Sequence, residues 1–238
     1  SAVTAATATL SWPAVTSASV GYEYVLNTTA ADPTGAGTAT TALTYSPSGL
    51  AASTVYYFHI RSACAAGSFS AWTTISFTTS CAAVNVPYTQ DFEGATVPAL
   101  PLCTSQQNVG TGNLWAVANN PGYGFTTKAL RYTYNSGAAA NVWFYTNGVN
   151  LVGGTNYKIA YDYGSTGTAF PEKLKVAYGT SASSTAMTTV LMDHTNVVND
   201  TPLNNIVNFT PATSGVYYFG FNANSIADQF YLFVDRSE

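Results

Sequence analysis

Apolar residues along this chain fall in short aromatic and β-branched runs, and helical periodicity is almost absent. "TVYYFHIRS", "ISFTT", "ALRYTY", "VWFYT", "YKIAYDY", "KLKVAYG", "GVYYFGF" and "FYLFVD" are each of strand length, and Gly, Pro, Asn and Ser separate them. Such runs bury rings on a pleated surface, and the turn residues reverse the chain between them. The pattern predicts an all-β protein built from sandwiches or barrels. The only helical candidate is "SSTAMTTVLM", residues 183–192, enough for one or two turns.

Charge is scarce. Of 238 residues, 8% are charged and 47% are hydrophobic, where a typical soluble domain carries roughly 25% charged residues. That much apolar area offsets the entropy of ordering, so the chain is not disordered. Solubility must rest on hydroxyls and amides, which suits an extracellular β protein. The net charge is −4, and the seven basic residues are spread from Arg61 to Arg236 without a patch, which argues against nucleic acid. No apolar run has the length of a membrane-spanning helix, so no membrane insertion is expected. Ser1 reads as the cut edge of a longer chain, and no signal peptide precedes it.

A boundary falls near residue 80. Before it, Trp12 sits early, as a bulky core plug would. Leu50, Thr54 and Tyr56 form a spaced group in "GLAASTVYYFHI". A tyrosine after such a turn packs its ring inward and bonds backward through its hydroxyl. In order and spacing, Trp12, Leu50, Tyr56 and the closing "FTT" resemble a fibronectin type III domain over residues 1–80. That resemblance implies a spacer or a partner-binding module; no RGD tripeptide supports integrin recognition. Residues 81–238 exceed one immunoglobulin-like repeat and contain no second copy, so a single larger sandwich is the economical reading.

Asp91 and Glu93 stand close together in "CAAVNVPYTQDFEGATVPALPLC", residues 81–103. A glycosidase needs carboxylates facing each other across a sugar. On a strand, residues two apart point to the same side. Asp162, Glu172, Asp193, Asp228 or Asp235 would have to complete a catalytic pair. His59, on a strand, reads as an exposed or rim residue, and His194 as part of a polar loop. No G-x-S-x-G, H-E-x-x-H or paired C-x-x-C motif occurs. The expectation is a protein that is not an enzyme. Paired carboxylates repel unless a cation relieves them, and calcium prefers such hard oxygens. Asp91 and Glu93 form a candidate half-site, with Asp235 in "YLFVDRSE" as the other half.

"YTQDFEGATVPALPLC", "GNLWAV", "GYGFTTKALRYTY", "VNLVGGTNYKIAYDYGS", "PEKLKVAYGTS", "FTPATSGVYYFGFNANS" and "YLFVDRSE" follow one another in a characteristic order. The set resembles the cleaved-adhesin, or choice-of-anchor J, family of jelly-roll modules, distant relatives of MAM domains. It covers nearly all of residues 85–238. The resemblance implies a secreted bacterial surface protein and a calcium ion held by Glu93, Asp235 and backbone carbonyls. Arg236 departs from the family's second acidic position, and Thr104 stands where many members have Trp.

Cys81 and Cys103 flank the acidic segment, and a bridge between them would hold its loop; Cys64 and Cys81 should lie at opposite ends of neighbouring strands, too far apart to pair. An 81–103 disulfide fits an exported protein. Trp143 and Tyr145 share one face of "NVWFYT", and Tyr123 sits in the loop "NNPGYGF". Rings left outside the core could stack on the C–H faces of a sugar, which makes these three the candidate ligand contacts. The combined expectation is a monomeric, calcium-stabilised, non-catalytic adhesion fragment at the cell surface. Its partner would be a host or surface glycan or protein. The alternatives are a carbohydrate-binding accessory module of a secreted hydrolase and a structural stalk.

Overall fold

The computed structural model describes residues 2–16, 18, 20–65 and 67–236. Ser1, read above as a cut edge, lies outside the described residues. The chain forms two compact units, Ser1–Ala82 and Ala83–Glu238, and both are built from strands.

In the smaller unit, Ala2–Val3, Ala8–Ser11 and Thr44–Tyr45 form one sheet. The other contains Thr38–Thr40, Gly21–Asn27, Val55–Ala65 and Ser68–Phe69, with Thr73–Thr78 also paired to Val55–Ala65. Ala8, Leu10 and Phe58 are buried between the sheets, and Trp12, Tyr24, Tyr45 and Leu50 pack around them. Tyr56 stacks on Phe77, and its hydroxyl accepts the Ala51 N–H at 3.0 Å. That backward bond ties the turn before the strand to the strand itself. His59 differs from its expected place at the rim. It is completely buried, with Nδ1 2.8 Å from Thr74 Oγ1 and Nε2 3.1 Å from the Thr29 carbonyl. Its strand is paired on both sides and covered by the loop after Asn27, so every polar atom of the ring finds a partner inside.

Glu23 and Arg61 form a second, partly buried polar unit. The guanidinium reaches Glu23 Oε2 at 2.7 and 3.0 Å and lies over the rings of Phe69 and Trp72, 4.1 and 4.4 Å from their centroids.

The larger unit is a sandwich of two sheets. One runs Ser105–Asn108, Val142–Tyr145, Gly215–Ala223, Glu172–Gly179, Thr189–Val197. Val149–Leu151 pairs with the first residues of Gly215–Ala223 and is joined in parallel by Val84–Asn85. The other runs Trp115–Asn119, Lys128–Thr133, Tyr231–Asp235, Tyr157–Ser165, Leu203–Phe209, all antiparallel. Period-two alternation decides what goes between them. Leu130, Tyr132, Phe144, Tyr161, Phe221, Leu232 and Val234 turn inward and are buried. The intervening Ala129 and Phe233 join a separate cluster with Phe125 and Tyr231 on the outer side.

The helical candidate at 183–192 resolves differently. Ser184–Ala186 is a single 3-10 turn, and Thr189–Val197 is a strand. Thr189 and Val190 are β-branched and stiff at χ1, and the strand they open pairs with Glu172–Gly179, which outweighs a weak helical tendency.

Candidate ligand and cation sites

Asp91 and Glu93 lie in a turn rather than on a strand. Phe92 between them takes φ 61° and drives its ring into the core, 5.6 Å from Phe144. With Phe92 inward, both carboxylates are exposed. Asp91 bends back on its own chain, Oδ1 accepting the Glu93 N–H at 3.1 Å. Glu93 Oε1 accepts the Lys128 N–H at 2.8 Å. The Lys128 ammonium donates to the carbonyls of Glu93 at 2.7 Å and Ala95 at 2.9 Å.

Asp235 stands opposite Asp162 in strand register. Its carboxyl is pushed up to about 6, chiefly by burial, with Asp162 and Glu93 adding repulsion; the Arg236 N–H, at 2.7 Å, opposes the rise. Asn204 Nδ2 donates to Asp162 Oδ1 at 2.8 Å. The carboxylates that sense one another are therefore Glu93, Asp162 and Asp235. Asp91 is absorbed in its local turn. Among the described residues no group of three His, Cys, Asp or Glu side chains converges closely enough to hold a metal, so the expected trio of Asp91, Glu93 and Asp235 is not assembled as a ligand set. The donor chemistry nonetheless suits a hard cation, with carboxylates beside backbone carbonyls. The cation those two carbonyls meet here is the Lys128 ammonium.

The remaining ionisable candidates serve the structure. Glu172 is completely buried, accepting the Ser225 hydroxyl and the Phe230 N–H, and burial holds its carboxyl above the usual range. Asp193 pairs with Lys175 at 3.6 Å. His194 is on a strand and not in a loop. Its ring stacks on Tyr163 at 4.1 Å, Nε2 lies 2.8 Å from the Tyr161 hydroxyl, and burial lowers its pKa. Cys81 and Cys103 are disulfide-bonded.

The aromatic candidates separate. Trp143 and Tyr145 lie nearly parallel, 6.1 Å apart, but they are 7% and 0% exposed. They point away from the inter-sheet core, as their alternation requires, and the segment carrying Met187 and Ala182 packs over them. They are thus not open contacts. Tyr123 is 38% exposed and stacks on Phe233 at 5.7 Å.

Tyr123 ends a row of rings that the sequence reading missed. Phe233 contacts Tyr231, Tyr231 contacts Phe230 at 4.3 Å, and Phe230 stacks on Phe170, itself 41% exposed. The Arg131 guanidinium lies over Tyr231, 4.9 Å from its centroid. The signal for this row was the alternation in "FYLFVD", which puts Tyr231, Phe233 and Asp235 on one face. Phe170, in a distant loop, gave none.

No family model and no curated protein matches the chain. Solved structures do. The K1 cleaved adhesin domain of Lys-gingipain from Porphyromonas gingivalis W83 superposes with a TM-score of 0.51 at 17% identity, covering 63% of this chain and 95% of that domain. That likeness is one of fold, over 63% of this chain. The K2 domain of the same protein gives a TM-score of 0.51 at 15% identity, over 63% of this chain and 95% of its own. A family 35 carbohydrate-binding module from Clostridium thermocellum reaches a TM-score of 0.40 at 8% identity, over 64% of this chain and 98% of its own.

Proposed function

We propose that this chain is a non-catalytic adhesion fragment of a secreted bacterial surface protein, with a glycan as its ligand. In this reading the smaller unit is a fibronectin type III spacer and the larger one carries the site. The observation behind it is the set of partly exposed rings Tyr123, Tyr231, Phe230 and Phe170, linked through the buried Phe233, with Arg131 over Tyr231. Partly exposed rings offer flat faces to the C–H groups of pyranoses, and a guanidinium offers fixed donors to hydroxyls or a uronate. A glycan array probed with the whole chain tests the assignment. Hits that vanish in Tyr123→Ala and Tyr231→Ala, with the fold intact, are the expected result. An array without hits, or hits indifferent to both substitutions, would reject it.

Calcium belongs to the same proposal. It would be held by Glu93 and Asp235 together with backbone carbonyls, and would compete there with the Lys128 ammonium. The repulsion that Glu93 and Asp162 add to the effect of burial on the Asp235 carboxyl supports this. The two hydrogen bonds of Lys128 favour a second reading, in which the ammonium is the resident cation and calcium is dispensable. Thermal melts of the whole chain with calcium and with EDTA separate the two.

A further inference from the structure

A cavity of about 510 Å³ opens between the two sheets of the larger unit, at the end where Val149–Leu151 faces Tyr157–Ser165. Its size falls in the range of small-molecule sites. The floor is apolar: Leu151, Ile159, Phe209 and Phe219 belong to the buried core. Most of the polar side chains deeper in the wall are engaged, while Thr89 and Asn156 are exposed at its edge. The Tyr157 hydroxyl accepts the Val152 N–H, and the Tyr88 hydroxyl donates to Gln90. The Thr146 hydroxyl donates to the Asn147 carbonyl and accepts the Phe219 N–H. None of the side-chain polar atoms left buried and unpartnered belongs to a residue of this wall. A site with so few spare hydrogen-bonding groups inside poorly repays the desolvation of a sugar. It is matched instead to a hydrocarbon.

The rim is different. Asn156 and Lys158 are exposed there, no Asp or Glu lines the cavity, and Lys158 belongs to no ion pair among the described residues. An apolar floor beneath one uncompensated ammonium has the polarity of a fatty carboxylate turned inside out. We propose that this cavity binds an unbranched aliphatic carboxylate, with its chain against Leu151, Ile159 and Phe209 and its head group at Lys158. The site is separate from the ring row and does not depend on the glycan assignment.

Calorimetric titration of the whole chain with octanoate, decanoate and decanol, each below its micellar concentration, tests it. Each methylene buried should raise affinity about fourfold, so decanoate should exceed octanoate by roughly sixteenfold. Lys158→Gln, at an exposed position, should weaken decanoate several-fold and leave decanol unchanged. Ile159→Phe, which narrows the floor, should reduce both. If Ile159→Phe fails to fold, the chain-length series and Lys158→Gln still decide. No binding by either carboxylate, or binding independent of chain length, would overturn the site. Decanoate affinity unaffected by Lys158→Gln would overturn the head-group assignment.

Discussion

Asp162 and Asp235 occupy directly opposed positions on neighbouring antiparallel strands, like charge facing like charge. Opposed carboxylates on a sheet destabilise it when both are ionised, and the rise of Asp235 to about 6 is partly the outcome. A carboxyl with its folded pKa above its unfolded value stabilises the fold most when protonated. Its contribution is therefore complete below pH 3.8 and is lost as the pH rises to about 6. In EDTA, the melting temperature of the larger unit should fall across that window. Asp235→Asn should reduce the slope and melt higher than the parent at pH 7. Glu172, also raised by burial, acts with the same sign, so the slope should shrink without vanishing. Because Asp235 is only half-buried, solvent screening keeps the effect small. A pH profile unchanged by Asp235→Asn would contradict the assignment.

Lys128→Met removes the ammonium from the carbonyls of Glu93 and Ala95 and keeps most of the side-chain length. Without calcium, the loss of these charge-assisted bonds should cost about 1–3 kcal/mol. If calcium shares the cluster, the variant should gain more from calcium than the parent does. Paired melts in calcium and EDTA measure both effects; a variant with no calcium response would leave Lys128 as the only cation of this site.

Arg61→Lys conserves charge but loses the planar fork that reaches Glu23 and the stacking on Phe69 and Trp72. Destabilisation of the smaller unit by roughly 1–3 kcal/mol is expected, with the larger unit unaffected. Denaturant unfolding followed by near-ultraviolet circular dichroism reads it out, since Trp72 senses the change.

Gly220 lies beneath the paired rings on the outer side of its sheet. A methyl group there would meet Met187 Sδ and Trp143 Cε3 at 2.8 Å. Gly220→Ala should overpack this cluster and destabilise the larger unit by about 1–3 kcal/mol. A neutral substitution would mean that the Met187 segment yields easily, which urea titration would reveal.

The strand pattern was legible because rings and β-branched residues alternate with polar ones over strand-length runs, and that alternation survives in the fold. The turn around Phe92 was not. Its left-handed backbone is imposed by burying the ring between two carboxylates, and no local residue signals it. The roles of Lys128 and Asp162 depend on register between strands far apart in sequence, which a single chain does not encode locally. Trp143 and Tyr145 showed the same limit: their shared face was readable, but the segment that covers them was not. His59 was misplaced because a buried imidazole with every nitrogen partnered looks, in sequence, like one at the surface.

Tyr231–Asp235 is bonded on both sides, to Lys128–Thr133 and to Tyr157–Ser165. Among the described residues of this unit it is also the last strand in chain order. Until it arrives, those two neighbours have a gap between them, each with an open edge, and the sheet cannot close in the order in which it is made. The larger unit must therefore wait, part-assembled, for its keystone. Interrupted translation would release a chain with two unprotected edges, the form most prone to associate with its own kind.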